Sequence, residues 1–199
     1  CGSTTNNAAR QKDVAFAMTT YVEEGRIVVK ANSPIKGIAD LNGKTVATTT
    51  GTTSVQTLRK NEKATGVDFK EVFGKDHADS FLLLESGRAD AFVMDGQILA
   101  GNIAKAKNPA DFKIVGEVLS VEPIAIMMRK DDPAFKKAVD GSITAMMKSG
   151  EIAKLYETEV KDLRVPGRCD HQVRRLDVAV DDAGGVGMGQ AVGRFGENA

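Results

Sequence analysis

The chain has 199 residues, of which 42% are apolar and 27% charged, and its 27 basic side chains balance 27 acidic ones. This composition is ordinary for a globular protein of one or two small domains. The lack of a basic excess argues against a dedicated nucleic-acid binder, and no segment approaches the ~18 apolar residues of a membrane span.

The predicted elements alternate between β-rich and helix-like segments as far as residue 115. In chain order they are a strand over 26–30, a helical turn over 38–44, a strand over 45–49, a helix over 54–65, a strand over 68–73, a helix over 80–86, a strand over 89–94, a helix over 97–107 and a strand over 112–115. Glycines at 43, 66, 74 and 87 end several of these segments. Strands separated by helices indicate βαβ units and a largely parallel sheet, so the fold class is α/β.

A further helix is predicted from Pro133 to about Met147, with a break at Gly150 and a resumed helix over 151–160. The composition then changes, because residues 164–199 contain no Lys, 5 Arg and 7 Gly. We interpret this tail as disordered or as out of family, and translation in a shifted reading frame would explain the change. The polar first ten residues carry no secretory signal, so we expect either that a leader was removed or that the chain is a fragment.

The two cysteines, Cys1 and Cys169, form neither a disulfide framework nor a zinc-binding pattern. A bridge between them and two free thiols both remain open. The sequence predicts no metal and no cofactor.

Three loops follow predicted strands at the edge where ligands of open α/β sheets bind. The first, over 50–54, opens a helix. Six hydroxyl side chains lie within three residues of Gly51, at positions 48–50 and 52–54. Free helix N–H groups favour an anion, and Thr52 or Thr53 can add hydroxyl hydrogen bonds. The alternative is that Thr53 or Ser54 caps the helix.

The second and third loops carry His77 and Asp95. A histidine beside a bound acid can donate a hydrogen bond or carry charge. A carboxylate at the end of an apolar strand needs a cationic partner, which a ligand ammonium would supply, although Asp95 could also cap the next helix. Anion donors opposite a carboxylate predict a site for a zwitterion, and the extra donors favour an acidic amino acid.

Several motifs resemble the amino-acid-binding proteins of ABC importers. The segment DSFLLLESGRADAFVMD over 79–95 carries the general resemblance, whereas CGSTTNN over 1–7, TGTTS over 50–54, KDH over 75–77 and RKDDP over 129–133 resemble the periplasmic glutamate/aspartate-binding group. The resemblance covers about residues 1–160. It implies a periplasmic-binding-protein-like fold of two α/β lobes that close on the ligand.

The resemblance also implies ligand contacts. Ser3 and Thr5 would contact a ligand carboxylate, and Thr52 and Thr53 would contact the ligand from the second lobe. His77 would bind the side-chain carboxylate and Asp95 the α-ammonium. Arg10 lies where many relatives have an arginine that clamps a carboxylate, but Asn6 and Asn7 lengthen the preceding loop, so we leave it outside the predicted set.

Compared with the family, roughly the first third is absent, the partner of the Cys1 position is replaced near Ile126, and the C-terminal segment differs. We therefore expect one complete lobe over 26–118 and remnants of a second lobe. The predicted divisions are 1–25 (first lobe and first hinge strand), 26–118, 119–163 (second hinge strand and returning helices) and 164–199 (tail). We expect loosely packed flanks and weak ligand binding.

The implied function is that of a periplasmic solute-binding subunit, which delivers glutamate or aspartate to the membrane permease of an ABC importer without any bond chemistry. One alternative is an amino-acid-dehydratase-like enzyme using His77 with Asp76, and another is the ligand-sensing domain of a receptor. A catalytic triad of Ser54, His77 and Asp95 has the residue types but lacks the Gly-x-Ser-x-Gly elbow.

Overall fold

The computed structural model describes residues 2–155. Four predictions lie outside the described residues: the state of Cys1, the state of Cys169, the end of the helix predicted over 151–160, and the tail over 164–199. Residues 151–155 are helical, as expected. None of the helices in the described range is both long and apolar enough to cross a membrane.

The described residues form six strands, four α-helices with both ends described, the helical segment over 151–155 and three short 3-10 helices. The strands are β1 (Gly2–Thr5), β2 (Ala15–Lys30), β3 (Thr45–Thr49), β4 (Lys70–Gly74), β5 (Ala91–Asp95) and β6 (Phe112–Met128). The α-helices are α1 (Thr53–Thr65), α2 (His77–Glu85), α3 (Gly96–Lys105) and α4 (Pro133–Lys148). The 3-10 helices cover Arg10–Lys12, Ile38–Leu41 and Pro109–Asp111.

The described strands make one sheet in the order β1-β6-β2-β5-β3-β4. Strand β3 pairs in parallel with both β4 and β5, whereas β2 pairs antiparallel with β5 and β6, and β1 pairs antiparallel with β6. The expectation of a largely parallel sheet is therefore wrong for half of it. Helices α1, α2 and α3 each bring the chain back to a strand of the same direction. Strand β6 is nevertheless separated from β5 by the antiparallel β2, so among the described strands only the two pairings of β3 are parallel.

The part of the sheet that carries the predicted site is buried on both faces. Alternate residues of β2 and β5 belong to two different apolar clusters: Ile27 and Val93 lie in one, and Val28 and Phe92 lie in the other. All four side chains are fully buried. Because each strand end is held between two packed layers, the loops that follow β3, β4 and β5 start from rigid positions.

A third, smaller cluster lies at the other end of the long strands. Ala17 and Met128 pack there against Ile143 of α4. The predicted divisions after residues 25 and 118 fall inside β2 and β6, which run without interruption from this cluster to the larger two. The domain boundaries therefore stay a prediction. Strands β2 and β6 are in the positions of the two hinge strands that the predicted divisions contain.

Candidate functional site

The carboxyl ends of three parallel strands lie along one edge of the sheet. Strands β3, β4 and β5 run in the same direction, so Gly51, His77 and Asp95, which follow or end them, lie at that same edge. The first two loops also contact each other, because the N–H and the hydroxyl of Thr50 both donate to the Gly74 carbonyl at 3.1 Å. The predicted convergence of the three loops is therefore present.

The amino end of α1 provides N–H groups at this edge. Thr52 occupies the N-cap position, but its hydroxyl donates backwards to the Thr49 carbonyl at 2.8 Å, and the described residues give α1 no side-chain cap. The turn requires Gly51, whose φ is +77°. Because the first amides of the helix have no side-chain capping acceptor and lie at the positive end of its dipole, this helix end favours an anion.

The hydroxyl groups around Gly51 serve mostly as structural donors and acceptors. Besides Thr50 and Thr52, three more form hydrogen bonds within the protein: Thr49 Oγ1 lies 2.8 Å from Ser80 Oγ, Thr53 Oγ1 lies 3.4 Å from Thr5 Oγ1, and Ser54 Oγ donates to Met94 Sδ at 3.7 Å. Among the described residues, the buried Thr48 hydroxyl has no partner. The cluster therefore holds the loop in shape, and a ligand is not needed to explain each hydroxyl.

His77 is the first residue of α2 and not part of a loop, since α2 begins three residues earlier than expected. Asp76 caps this helix by accepting the Asp79 N–H at 2.8 Å. The Nδ1 atom of His77 lies 3.0 Å from Thr49 Oγ1, which orients the ring and leaves Nε2 for a ligand. Burial lowers the pKa of His77 below its ordinary value of 6.5, against the opposing charge of Asp76, so the ring is neutral at pH 7.

Asp95 ends β5 and is only 8% exposed. Its Oδ1 atom is buried, and no described residue donates a hydrogen bond to it. Burial raises the pKa of Asp95 to about 6, the negative charge of Glu122 adds to this rise, and the positive charge of Arg10 opposes it. A buried carboxylate with an unused oxygen is a position for a cation.

Strand β1 carries two further predicted residues, Ser3 and Thr5, of which Thr5 contacts the amino end of α1. Thr5 ends this strand, and its hydroxyl contact with Thr53 joins β1 to the amino end of α1. Ser3 lies two residues earlier, opposite Ile126 in the sheet, and it is exposed. Because side chains alternate along a strand, Ser3 and Thr5 share one face of β1.

Arg10 belongs to the same neighbourhood, although the sequence analysis left it out. Its guanidinium donates to Thr4 Oγ1 at 2.9 Å and to the Thr5 carbonyl at 3.0 Å, and its charge lowers the pKa of Asp95. The signal that could have found it is Asn7, whose side chain accepts the Arg10 N–H at 2.9 Å. The two asparagines thus form an ordered turn and do not displace the arginine.

Two buried carboxylates near Asp95 were not predicted from the sequence. Glu23 of β2 and Glu122 of β6 are each 6% exposed and lie directly opposite each other in the sheet. The available signal is the presence of an acidic residue inside each long β-rich segment, where burial of a charge is costly.

The described contacts do not form a Ser-His-Asp chain. The Ser54 hydroxyl donates to Met94 Sδ, and Nδ1 of His77 is paired with Thr49. No described hydrogen bond joins Ser54 to His77 or His77 to Asp95, so the site lacks the activated nucleophile that a hydrolase of this type needs.

Comparisons with known proteins identify the family. The family described as "ABC transporter, phosphonate, periplasmic substrate-binding protein" matches residues 1–162. The chain is 46% identical over 162 residues to the "Glutamate/aspartate import solute-binding protein" of Escherichia coli (strain K12), with 81% of this chain and 54% of that protein covered. It is 45% identical over 157 residues to the "L-glutamate/L-aspartate-binding protein" of Pseudomonas aeruginosa, with 79% of this chain and 52% of that protein covered.

The chain therefore spans about half the length of the curated relatives it matches. Among solved structures, "An ancestral arginine-binding protein bound to arginine" is similar with a TM-score of 0.69 and 35% identity, over 78% of this chain and 68% of that one. Since the family match covers residues 1–162 and the fold agrees with it, the chain belongs to the family of periplasmic substrate-binding proteins of ABC transporters.

Proposed function

We propose that this protein is a periplasmic solute-binding subunit that binds an acidic amino acid, glutamate or aspartate, and delivers it to the membrane permease of an ABC importer. The observation that carries the proposal is the meeting of three groups at one sheet edge: the uncapped amino end of α1, the ring of His77 and the unpaired Asp95 carboxylate. Two of these groups favour an anion and one favours a cation, which is the charge pattern of a zwitterion.

Each group has a role in the proposed complex. The amides of α1 and the hydroxyl of Thr53 bind one ligand carboxylate, and the hydroxyl of Thr52 joins them by turning away from the Thr49 carbonyl. The neutral His77 ring donates from Nε2 to a second carboxylate when the Thr49 hydroxyl donates to Nδ1. Asp95 accepts the ligand ammonium, which satisfies its free oxygen. Ser3 and Thr5 add hydroxyls from the β1 side.

The names of the relatives from Escherichia coli and Pseudomonas aeruginosa support the choice of ligand. Transport by such a subunit requires no bond chemistry. Ligand binding shifts a conformational equilibrium towards a closed form that the permease recognises, and the shift is limited by the difference in ligand affinity between the two forms. We therefore propose that the protein is not an enzyme.

A titration of the 199-residue chain, followed by amide NMR, tests the proposal. L-glutamate, L-aspartate, L-glutamine and glutarate provide a matched series, because glutamine lacks the second carboxylate and glutarate lacks the ammonium. We expect glutamate or aspartate to bind most tightly and to shift the amides of Gly51, His77 and Asp95. Binding of glutamine at least as tight as that of both acids, or shifts confined to other parts of the chain, would contradict the proposal.

A further inference from the structure

Three of the described α-helices have an aspartate at the N-cap, the position just before the first helical residue, and one of these aspartates behaves differently. Asp76 and Asp132 cap α2 and α4 by accepting the N–H of the residue three positions later, at 2.8 Å and 2.9 Å. Asp95 holds the equivalent position for α3 with an extended backbone (φ −61°, ψ 136°), yet its carboxylate makes no capping bond within the described structure. An aspartate at an N-cap normally accepts the N–H of the second or third residue of its helix, and at α3 the N–H of the second residue has a different acceptor.

That acceptor is Glu23 of strand β2. Its Oε1 atom accepts the N–H of Gln97, the second residue of α3, at 3.3 Å, and the N–H of Glu24 at 3.2 Å. The sheet register explains the reach: Gly25 pairs with Asp95, so β2 continues past the end of β5 and carries Glu23 alongside the first turn of α3. A residue 74 positions away in sequence thus acts as the cap.

We infer that Glu23 is a positioning residue, which caps α3 in place of Asp95 and so keeps the Asp95 carboxylate free for the cationic group of a ligand. The inference rests on the proposed function for the identity of that ligand. The capping exchange itself rests only on the contacts of Glu23, Gln97 and Asp95.

A purely structural role does not account for Glu23. Glu23 is only 6% exposed and lies opposite Glu122 in the sheet. The charges of Asp95 and Glu24 are also near, and Arg26 is paired with Glu24. Burial raises the pKa of Glu23 to about 7, and the two N–H bonds only partly oppose this. Like charges opposite each other in a sheet are destabilising. Such a costly arrangement is typical of a functional position.

Two variants of similar size separate capping from charge. Glu23→Gln and Glu23→Leu both remove the negative charge, but only the glutamine keeps an oxygen that can accept the Gln97 N–H. In the leucine variant we expect Asp95 to turn and cap α3 itself. Amide donors stabilise a carboxylate, so the pKa of Asp95, followed by carboxyl-carbon NMR without ligand, should be about one unit lower in the leucine variant than in the glutamine variant.

Equal pKa values of Asp95 in the two variants would overturn the inference. Glu23→Ala is the substitute if the leucine variant does not fold. Arg10 and Glu122 are present in every variant, so a difference in the pKa of Asp95 reports a change in where its carboxylate lies and in which donors it accepts.

The ligand arm uses glutamate and glutarate. We expect Glu23→Leu to bind glutamate about tenfold more weakly than the wild type, which is the lower range for the loss of one charged hydrogen bond. The affinity of Glu23→Leu for glutarate should stay unchanged. The affinity of Glu23→Gln for glutamate should also stay unchanged. An equal loss for both ligands would indicate general damage and refute the positioning role. If the wild-type chain binds neither ligand, the proposed function fails, while the Asp95 comparison still decides the capping exchange.

Discussion

Replacing Asp95 with Asn should change the stability of the ligand-free protein, relative to the wild type, more favourably at neutral pH than at acidic pH. In the folded protein, burial raises the pKa of this carboxyl from 3.8 to about 6. The folded state therefore holds the Asp95 proton more tightly than the unfolded state does. As pH rises from about 4 to about 6, the free energy of unfolding falls, because the folded state must give up a proton that the unfolded state has already lost.

The size of the effect follows from the shift. The difference between 3.8 and about 6 corresponds to about 3 kcal/mol over the whole window, at 1.36 kcal/mol for each pKa unit. Between about pH 4.5 and about pH 7.5 the two-state linkage relation leaves about 2 kcal/mol of it. Asparagine cannot ionise, so the free energy of unfolding of Asp95→Asn minus that of the wild type should rise by this amount over that range.

Urea unfolding followed by circular dichroism at the two pH values measures this difference. Any cost of burying the new amide is the same at both pH values and cancels. Asp132→Asn is the matched control, because a backbone N–H bond and Arg129 lower the pKa of Asp132, so its titration lies below the tested range and its difference should stay constant. A difference for Asp95→Asn that does not change with pH would refute the raised pKa and the uncompensated burial on which it depends.

Three further predictions concern the loop, the ligand and the lobes. Gly51→Ala should destabilise the protein by about 1–2 kcal/mol because φ is +77° there, whereas Gly101→Ala inside α3, where a Cβ meets nothing within 4 Å, should stabilise it by up to about 1 kcal/mol; urea unfolding that gave the two variants the same sign would contradict this. His77→Ala should weaken the binding of glutamate more than that of glutamine, measured by calorimetry, and an equal loss for both would remove His77 from the proposed contacts. In amide exchange, β3 and β5 should be more protected than α4, in which Ile143 is the one residue that is buried. Equal protection of the three elements would contradict the expectation of loosely packed flanks.

Local signals predicted the elements around the site well. Strand β3 has the predicted bounds, α1 begins one residue early, and Gly66 ends α1 with φ of +69°. These elements are short, strongly patterned and bounded by glycine, so neighbouring residues suffice to define them.

The two long strands were predicted only in part. The expected strand over 26–30 belongs to β2, which begins at Ala15, and the expected strand over 112–115 belongs to β6, which extends to Met128. Register shifts between Phe16 and Thr19 and between Thr19 and Tyr21 break the alternation of apolar and polar residues. Periodicity cannot detect a strand whose side chains do not alternate regularly.

From its sequence alone, the chain specifies an α/β fold in which Gly51, His77 and Asp95 lie at or just after strand ends. The reason is that strands and helices alternate along the chain, and a helix between two strands brings the second back in the same direction. Only the tertiary structure decides which groups at that edge are free. Thr5 meets Thr53 across 48 residues, the charge of Arg10 reaches Asp95, and Glu23 takes the capping bond that leaves the Asp95 carboxylate unpaired. Hydrogen bonds and charges act through space, so the partners of each polar group depend on contacts that the order of residues does not reveal.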